Sequence, residues 1–228
     1  MTITNYVITH RDWPIVEDRL YKALCVGGFR KEGWLCAADG ENIEQYNDRI
    51  NETTGLYWIW KNADSEYVGL SHYRRYFRDN ELGCRLNVER TVNILAEKDI
   101  IMPAIKLGWP VLMNIAMASG DTLAETGYKL FRDAIAKKQP DYVEAFYRVM
   151  SGNFMYYCGM FMTSREIVNS YCEWLFSFLL DVVDKIDVSQ LGFYEKRVCG
   201  YFCEAFWTVW LMEHTDLNIH VMDLEVMR

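Results

Sequence analysis

Apolar and polar positions follow two rhythms along the chain. In the first half, short solid apolar runs are separated by stretches with a helical period. Tyr6 to Thr9 is the first such run and predicts a buried strand. Val16 to Leu24 mixes polar and apolar residues at a spacing that reads as a helix. Gly33 to Ala37 reads as a second strand, followed by the turn pair Asp39-Gly40. Asn51-Glu52-Thr53-Thr54 opens a helix that continues through Leu56, Tyr57, Ile59 and Trp60 and stops at Asn62-Ala63-Asp64-Ser65. Glu66 to Ser71 is the next strand, Asn87 caps a helix through Leu95, and Asp99 to Met102 is a strand closed by Pro103.

The second half is mostly helical. Helices are expected over Asp121 to Lys137, Asp141 to Met150, Arg165 to Lys185 and Tyr194 to Met212. Between them Phe154 to Met162 reads as one strand, and Leu217 to Leu224 as a last one. Strands alternating with helices predict an α/β fold with a mostly parallel central sheet and a helix-rich C-terminal half. No Pro/Gly/Ser-rich linker interrupts the 228 residues, so one domain over 1–228 is expected.

Composition narrows the function classes. Hydrophobic residues make up 51% and aromatics 15%, which points to a large packed core. The net charge of −8 argues against a nucleic-acid partner, while a local basic patch could still hold one phosphate group. Seven cysteines without a C-x-x-C pair read as reduced thiols, and no metal-ligating set has zinc spacing. The strand-like start at Thr4 leaves no room for a signal peptide, and the charge-free runs after Lys106 and Arg148 are too short to cross a bilayer. A cytoplasmic location is expected, with peripheral contact at the inner membrane face as an option. The apolar run Trp174 to Leu180 fits either an exposed face or core packing.

The candidate chemistry gathers at Tyr67 to Phe77, where an apolar strand ends in Ser71-His72-Tyr73-Arg74-Arg75-Tyr76-Phe77. Open α/β sheets bind ligands at the carboxyl ends of their strands. Two adjacent guanidiniums suit a diphosphate, and a neighbouring tyrosine such as Tyr73 suits stacking on a base or sugar. Asp39 and Asn42 follow another strand, where they could hydrogen-bond a nucleoside. Packing and turn chemistry account for the same residues without any ligand.

The pattern from Asn42-Ile43 through Leu56-Tyr57-Trp58-Ile59-Trp60-Lys61-Asn62 to Gly69-Leu70-Ser71-His72-Tyr73-Arg74-Arg75-Tyr76-Phe77 resembles a bacterial family. It is the domain of unknown function family 4422, found among capsular and exopolysaccharide glycosyltransferases. Tyr171 to Phe176 and Arg197 to Glu204 resemble its C-terminal signatures. The resemblance implies a GT-A-like, Rossmann-like transferase. Such an enzyme would take a nucleoside-diphosphate sugar, UDP-sugars first, and act on a saccharide or lipid-linked saccharide acceptor.

In that fold an Asp-x-Asp usually holds a divalent metal against the diphosphate. No such motif occurs in this chain, so Arg74 and Arg75 are expected to neutralise the leaving group, assisted by His72, with no metal or cofactor. Glu204 is the candidate general base and Asp121 the second candidate. The chain departs from the family pattern at Gly159, where Asn is expected, at Ala205, where Arg is expected, and in lacking a histidine near Ser119-Gly120-Asp121. These departures motivate an alternative, a binding module of the same fold that has lost turnover.

Overall fold

The structure, a computed structural model, describes residues 1–15 and 17–227. The chain opens with β1 (Ile3–Thr9), β2 (Tyr21–Cys25) and β3 (Leu35–Cys36), then α1 (Asn47–Ile50) and α2 (Thr53–Asn62). It continues through β4 (Tyr67–His72), β5 (Arg75–Asp79), β6 (Cys84–Arg85), α3 (Val88–Leu95), β7 (Ile100–Met102) and β8 (Ala104–Lys106). The helical half comprises α4 (Val111–Ser119), α5 (Asp121–Lys138) and α6 (Val143–Ser151), then β9 (Phe154–Tyr156) and β10 (Phe161–Ser164). The last elements are α7 (Arg165–Phe176), α8 (Leu179–Val183), α9 (Val198–Met212), β11 (Ile219–Val221) and β12 (Asp223–Val226).

The main sheet runs β11-β7-β10-β4-β1-β2-β3. Along that path the pairings are parallel except at β10, which lies antiparallel between β7 and β4, and β5, β6 and β12 branch from β4 as an antiparallel extension. The expected mostly parallel α/β sheet is therefore present. Strand side chains alternate between the two faces, as a period of two requires. Tyr6, Ile8, Val68, Leu70, Ile100 and Met102 join the larger core under the helices, while Val7, Ile101 and Met162 join a smaller one opposite. Gly69 is needed where β4 crosses β10, because a Cβ there would lie 2.5 Å from Met162 Sδ and 2.8 Å from the Phe161 carbonyl oxygen.

Several expectations are corrected. The Val16–Leu24 helix is not formed; Val16 lies outside the described residues, and from Tyr21 the chain is strand β2. Asp18 Oδ1 accepts the N–H groups of Leu20 and Tyr21 at 2.7 and 2.8 Å, closing a turn that precludes a helix and feeds the strand alongside β1. Phe154 to Met162 is two strands, because Cys158 and Gly159 both take left-handed backbone, with φ of 62° and 61°. One strand pairs with β8 in a separate ribbon, and the other enters the main sheet. Leu217 to Leu224 likewise divides into β11 and β12, and Arg165 to Lys185 breaks after Phe176. The run Trp174 to Leu180 belongs to the core, with Trp174, Leu175, Phe178 and Leu179 buried. Among the described residues no helix is long and apolar enough to cross a membrane.

Candidate active site

Strands β1 to β4 are mutually parallel along this part of the sheet, so Thr9, Cys25, Cys36 and His72 end at one edge. At that edge β4 reverses. His72 faces Arg75 across a two-residue turn, Tyr73-Arg74, and β5 runs back antiparallel. The turn separates the arginine doublet. Arg74 is exposed, its guanidinium 5.1 Å from the Tyr73 ring centre. Arg75 is half-buried and approaches Tyr157, 5.9 Å from the ring centre. Tyr73 is itself buried, edge-on to His10 at 5.4 Å and Trp13 at 5.3 Å, which leaves its ring no face for a base or sugar.

His72 is also buried, and both ring nitrogens have protein partners. The backbone N–H of Arg74 donates to Nδ1 at 3.3 Å, and Nε2 lies 3.0 Å from Glu52 Oε1. An accepting Nδ1 places the proton on Nε2, so Nε2–H donates to Glu52. Burial pushes the Glu52 carboxyl up, but the hydrogen bond that His72 donates, Glu52's own backbone N–H and the charge of Arg197 outweigh it and hold it at about 2. His72 is thus braced against Glu52 rather than directed at a leaving group.

Glu204 belongs to α9, a helix that runs through the core. Every residue from Phe202 to Leu211 except Glu204 is buried, and nothing in such a helix calls for a carboxylate. Burial and the neighbouring charge of Glu52 push its pKa up to about 7, against the pull of Arg75 and Arg197. Glu204 lines a cavity of about 220 Å³ with Tyr157, Tyr201 and the inner face of α4. On its other side it meets Glu52, Cys158 and Gly159. The left-handed Cys158-Gly159 turn brings Cys158 against the glutamate, and burial raises its thiol to about 12, so it stays protonated. Two neighbouring carboxyl groups, one ionised and one poised near neutrality, are an arrangement suited to acid–base chemistry.

The structure therefore gathers Glu204 and Arg75, with His72 reaching them through Glu52. Asp39, Asn42 and Asp121 lie apart. The Asp39 carboxylate pairs with Arg30 on the surface at 3.1 Å, while its carbonyl accepts from Trp58 Nε1. Asn42 donates to the carbonyls of Ala38 and Gly40 and accepts from Glu44 N–H, so its side chain is spent on the turn. Asp121 is exposed beside an apolar groove on the opposite face of α4. Ala205 is buried and contributes packing.

Sequence reasoning missed Glu52 and Arg197. An acid at a helix start is ordinary dipole chemistry, so Glu52 carries no mark. Arg197, Tyr201 and Glu204 recur at i, i+4, i+7, and that spacing was the available signal for a shared face. Among the described residues no three His, Cys, Asp or Glu side chains cluster as a metal site would require.

The polar cluster lies at the carboxyl edge of the parallel strands of an α/β fold, the position at which such sheets bind ligands. The chain is similar to the apo structure of WbbM, a bifunctional glycosyltransferase, with a TM-score of 0.85 at 23% identity over 100% of this chain. The match takes in 45% of that protein's chain, so this chain spans under half of its length. The chain belongs to the family described as Domain of unknown function (DUF4422), whose profile matches residues 4–215. No curated protein matches it.

Proposed function

We propose that the chain is a glycosyltransferase of polysaccharide biosynthesis. It would move a sugar from a nucleoside-diphosphate donor, most simply a UDP-sugar, to a hydroxyl of a saccharide or lipid-linked saccharide. The observation that carries this reading is Glu204, a carboxyl poised near neutrality beside the ionised Glu52 and the half-buried Arg75, in the fold of a glycosyltransferase.

The acceptor hydroxyl gives its proton to the Glu204 carboxylate as its oxygen bonds to the anomeric carbon. The bond from that carbon to the phosphate oxygen breaks, and the nucleoside diphosphate leaves with the electron pair. Arg75 meets the developing charge inside the site and Arg74 supports it from the rim. His72 is a positioning residue that keeps Glu52 ionised, and Glu52 in turn keeps the Glu204 carboxyl basic. Action on a lipid-linked acceptor would place the protein at the inner face of the membrane.

Guanidiniums take the part of a metal in this scheme, which the missing Asp-x-Asp supports. Thermal-shift titration with UDP, GDP, CDP and their sugars should raise the melting temperature, and donor turnover should persist in excess EDTA. Strict manganese or magnesium dependence would overturn the metal-independent scheme, and no response to any nucleotide would overturn the donor. Binding without hydrolysis or transfer would leave the inactive binding module.

A further inference from the structure

Arg197 stands at the start of α9, one and two helical turns before Tyr201 and Glu204 on the same face. Its Nε is buried and has no hydrogen-bond partner among the described residues. Neither Arg197 nor Arg75 forms an ion pair among them. The charge of Arg197 bears on His10, at the carboxyl end of β1, and on Glu52 and Glu204. Its face of α9 is the one whose Tyr201 and Glu204 line the cavity together with Tyr157, the ring that Arg75 approaches. The Arg197 guanidinium rests 4.5 Å from the ring centre of Phe193. A flat face against a ring leaves the N–H edge available for a planar two-pronged contact.

A buried guanidinium nitrogen without a partner is costly, and an arriving anion would remove the cost. Glu52 is ionised and hydrogen-bonded to His72, and Glu204 is poised near neutrality, so the two arginines outnumber the ionised carboxylates and leave the cluster with positive charge to spare. A diphosphate carries at least two negative charges and presents oxygens along its length, one group for each guanidinium.

We propose that Arg197 is the second arm of a diphosphate clamp, closing with Arg75 from the opposite element onto the donor's two phosphates beside Glu204. This assignment rests on the donor reading above. It makes the helix that carries the base also hold the leaving group, so that one element sets the distance between the two.

The test is calorimetric titration of the whole chain with UDP and UMP, with GDP and CDP in parallel, for wild type, Arg197→Ala, Arg197→Gln and Arg197→Lys. Arg197→Ala is expected to weaken UDP about 10- to 100-fold and UMP less than about threefold, without lowering the melting temperature. Arg197→Lys should recover part of the loss. Arg197→Gln keeps the stem against Phe193 and should behave as Ala does, which covers the case of a poorly folded Ala variant. Wild-type binding of UDP with every variant within twofold would overturn the clamp and leave the donor reading standing. Equal losses for UDP and UMP would also overturn it, since the arginine would then not be reading the second phosphate. If wild type binds none of the nucleotides, the donor reading falls and the clamp with it.

Discussion

The turn at His72 to Arg75 and the face of α9 from Arg197 to Glu204 make contrasting use of their polar residues. In the turn, a dense string of His, Tyr and Arg is largely consumed by the fold. Tyr73 is buried, both nitrogens of His72 are engaged, and Arg74 lies out on the surface. On α9 the polar residues are sparse, set among apolar ones, and left with chemistry unspent: a carboxyl pushed up to about 7 and a guanidinium nitrogen with no partner. Conspicuous residues are not thereby available ones. A polar side chain in a core is retained either because the fold satisfies it or because something that binds there does, and the hydrogen-bond inventory tells the two apart.

The largest effect that could break this contrast is on turnover. Glu204→Gln should lower transfer by about 10²- to 10⁴-fold, the span of general base catalysis, while leaving donor binding nearly intact. The wild-type rate should rise with pH through about 7, because the unprotonated carboxylate is the active form. Initial rates against pH, alongside UDP titrations, separate the two. Turnover of the variant within about threefold of wild type would remove Glu204 from the chemistry.

The next effect divides the arginine doublet. Arg75→Ala should cost about 1.5–3 kcal/mol, roughly 10- to 150-fold in UDP affinity or rate, as expected for a charged hydrogen bond. Arg75→Lys should recover part of it, and Arg74→Ala should stay within about threefold because its group is solvated. Equal losses at the two positions would mean that the turn, and not only its inward arginine, holds the donor.

Much of this fold is legible in the sequence. Tyr6 to Thr9, Glu66 to Ser71 and Asp99 to Met102 are solid apolar runs, and strands buried on both faces need to be so. Strand β2 is hidden because Asp18 and Arg19 precede it and Lys22 interrupts its apolar residues, and the Asp18 turn that starts it depends on a side-chain bond rather than on periodicity. The reversal at Cys158-Gly159 is hidden as well, since Gly159 alone reads as a strand glycine and left-handed cysteine has no sequence signature. At the site, an acid inside an apolar helix marks Glu204. Its partner Glu52 has no mark, because what joins them is tertiary packing between the start of α2 and α9.

The smallest effect tests the asymmetry between the two carboxyl groups through stability. Glu204 keeps its proton in the folded chain up to about 7, whereas an ordinary glutamate releases it near 4.5. Between those values the unfolded chain binds fewer protons than the folded one, so this group lowers stability as pH rises and adds nothing further above about 7. Glu52 runs the other way. Held at about 2, it supplies stability fully present above about 4.5 and lost as pH falls toward 2, outside the window of Glu204. Glu204→Gln removes the titration, so its melting temperature should exceed that of wild type by about 2–6 °C at pH 8, as a chain of this size shows for one or two kcal/mol. The gap should shrink toward pH 5 and level off above about 7. Differential scanning calorimetry of both proteins at half-unit steps from pH 5 to 8 reads it directly. A gap constant across that range would mean that the carboxyl is not held up by burial and by Glu52, and the contrast between the two glutamates would be lost.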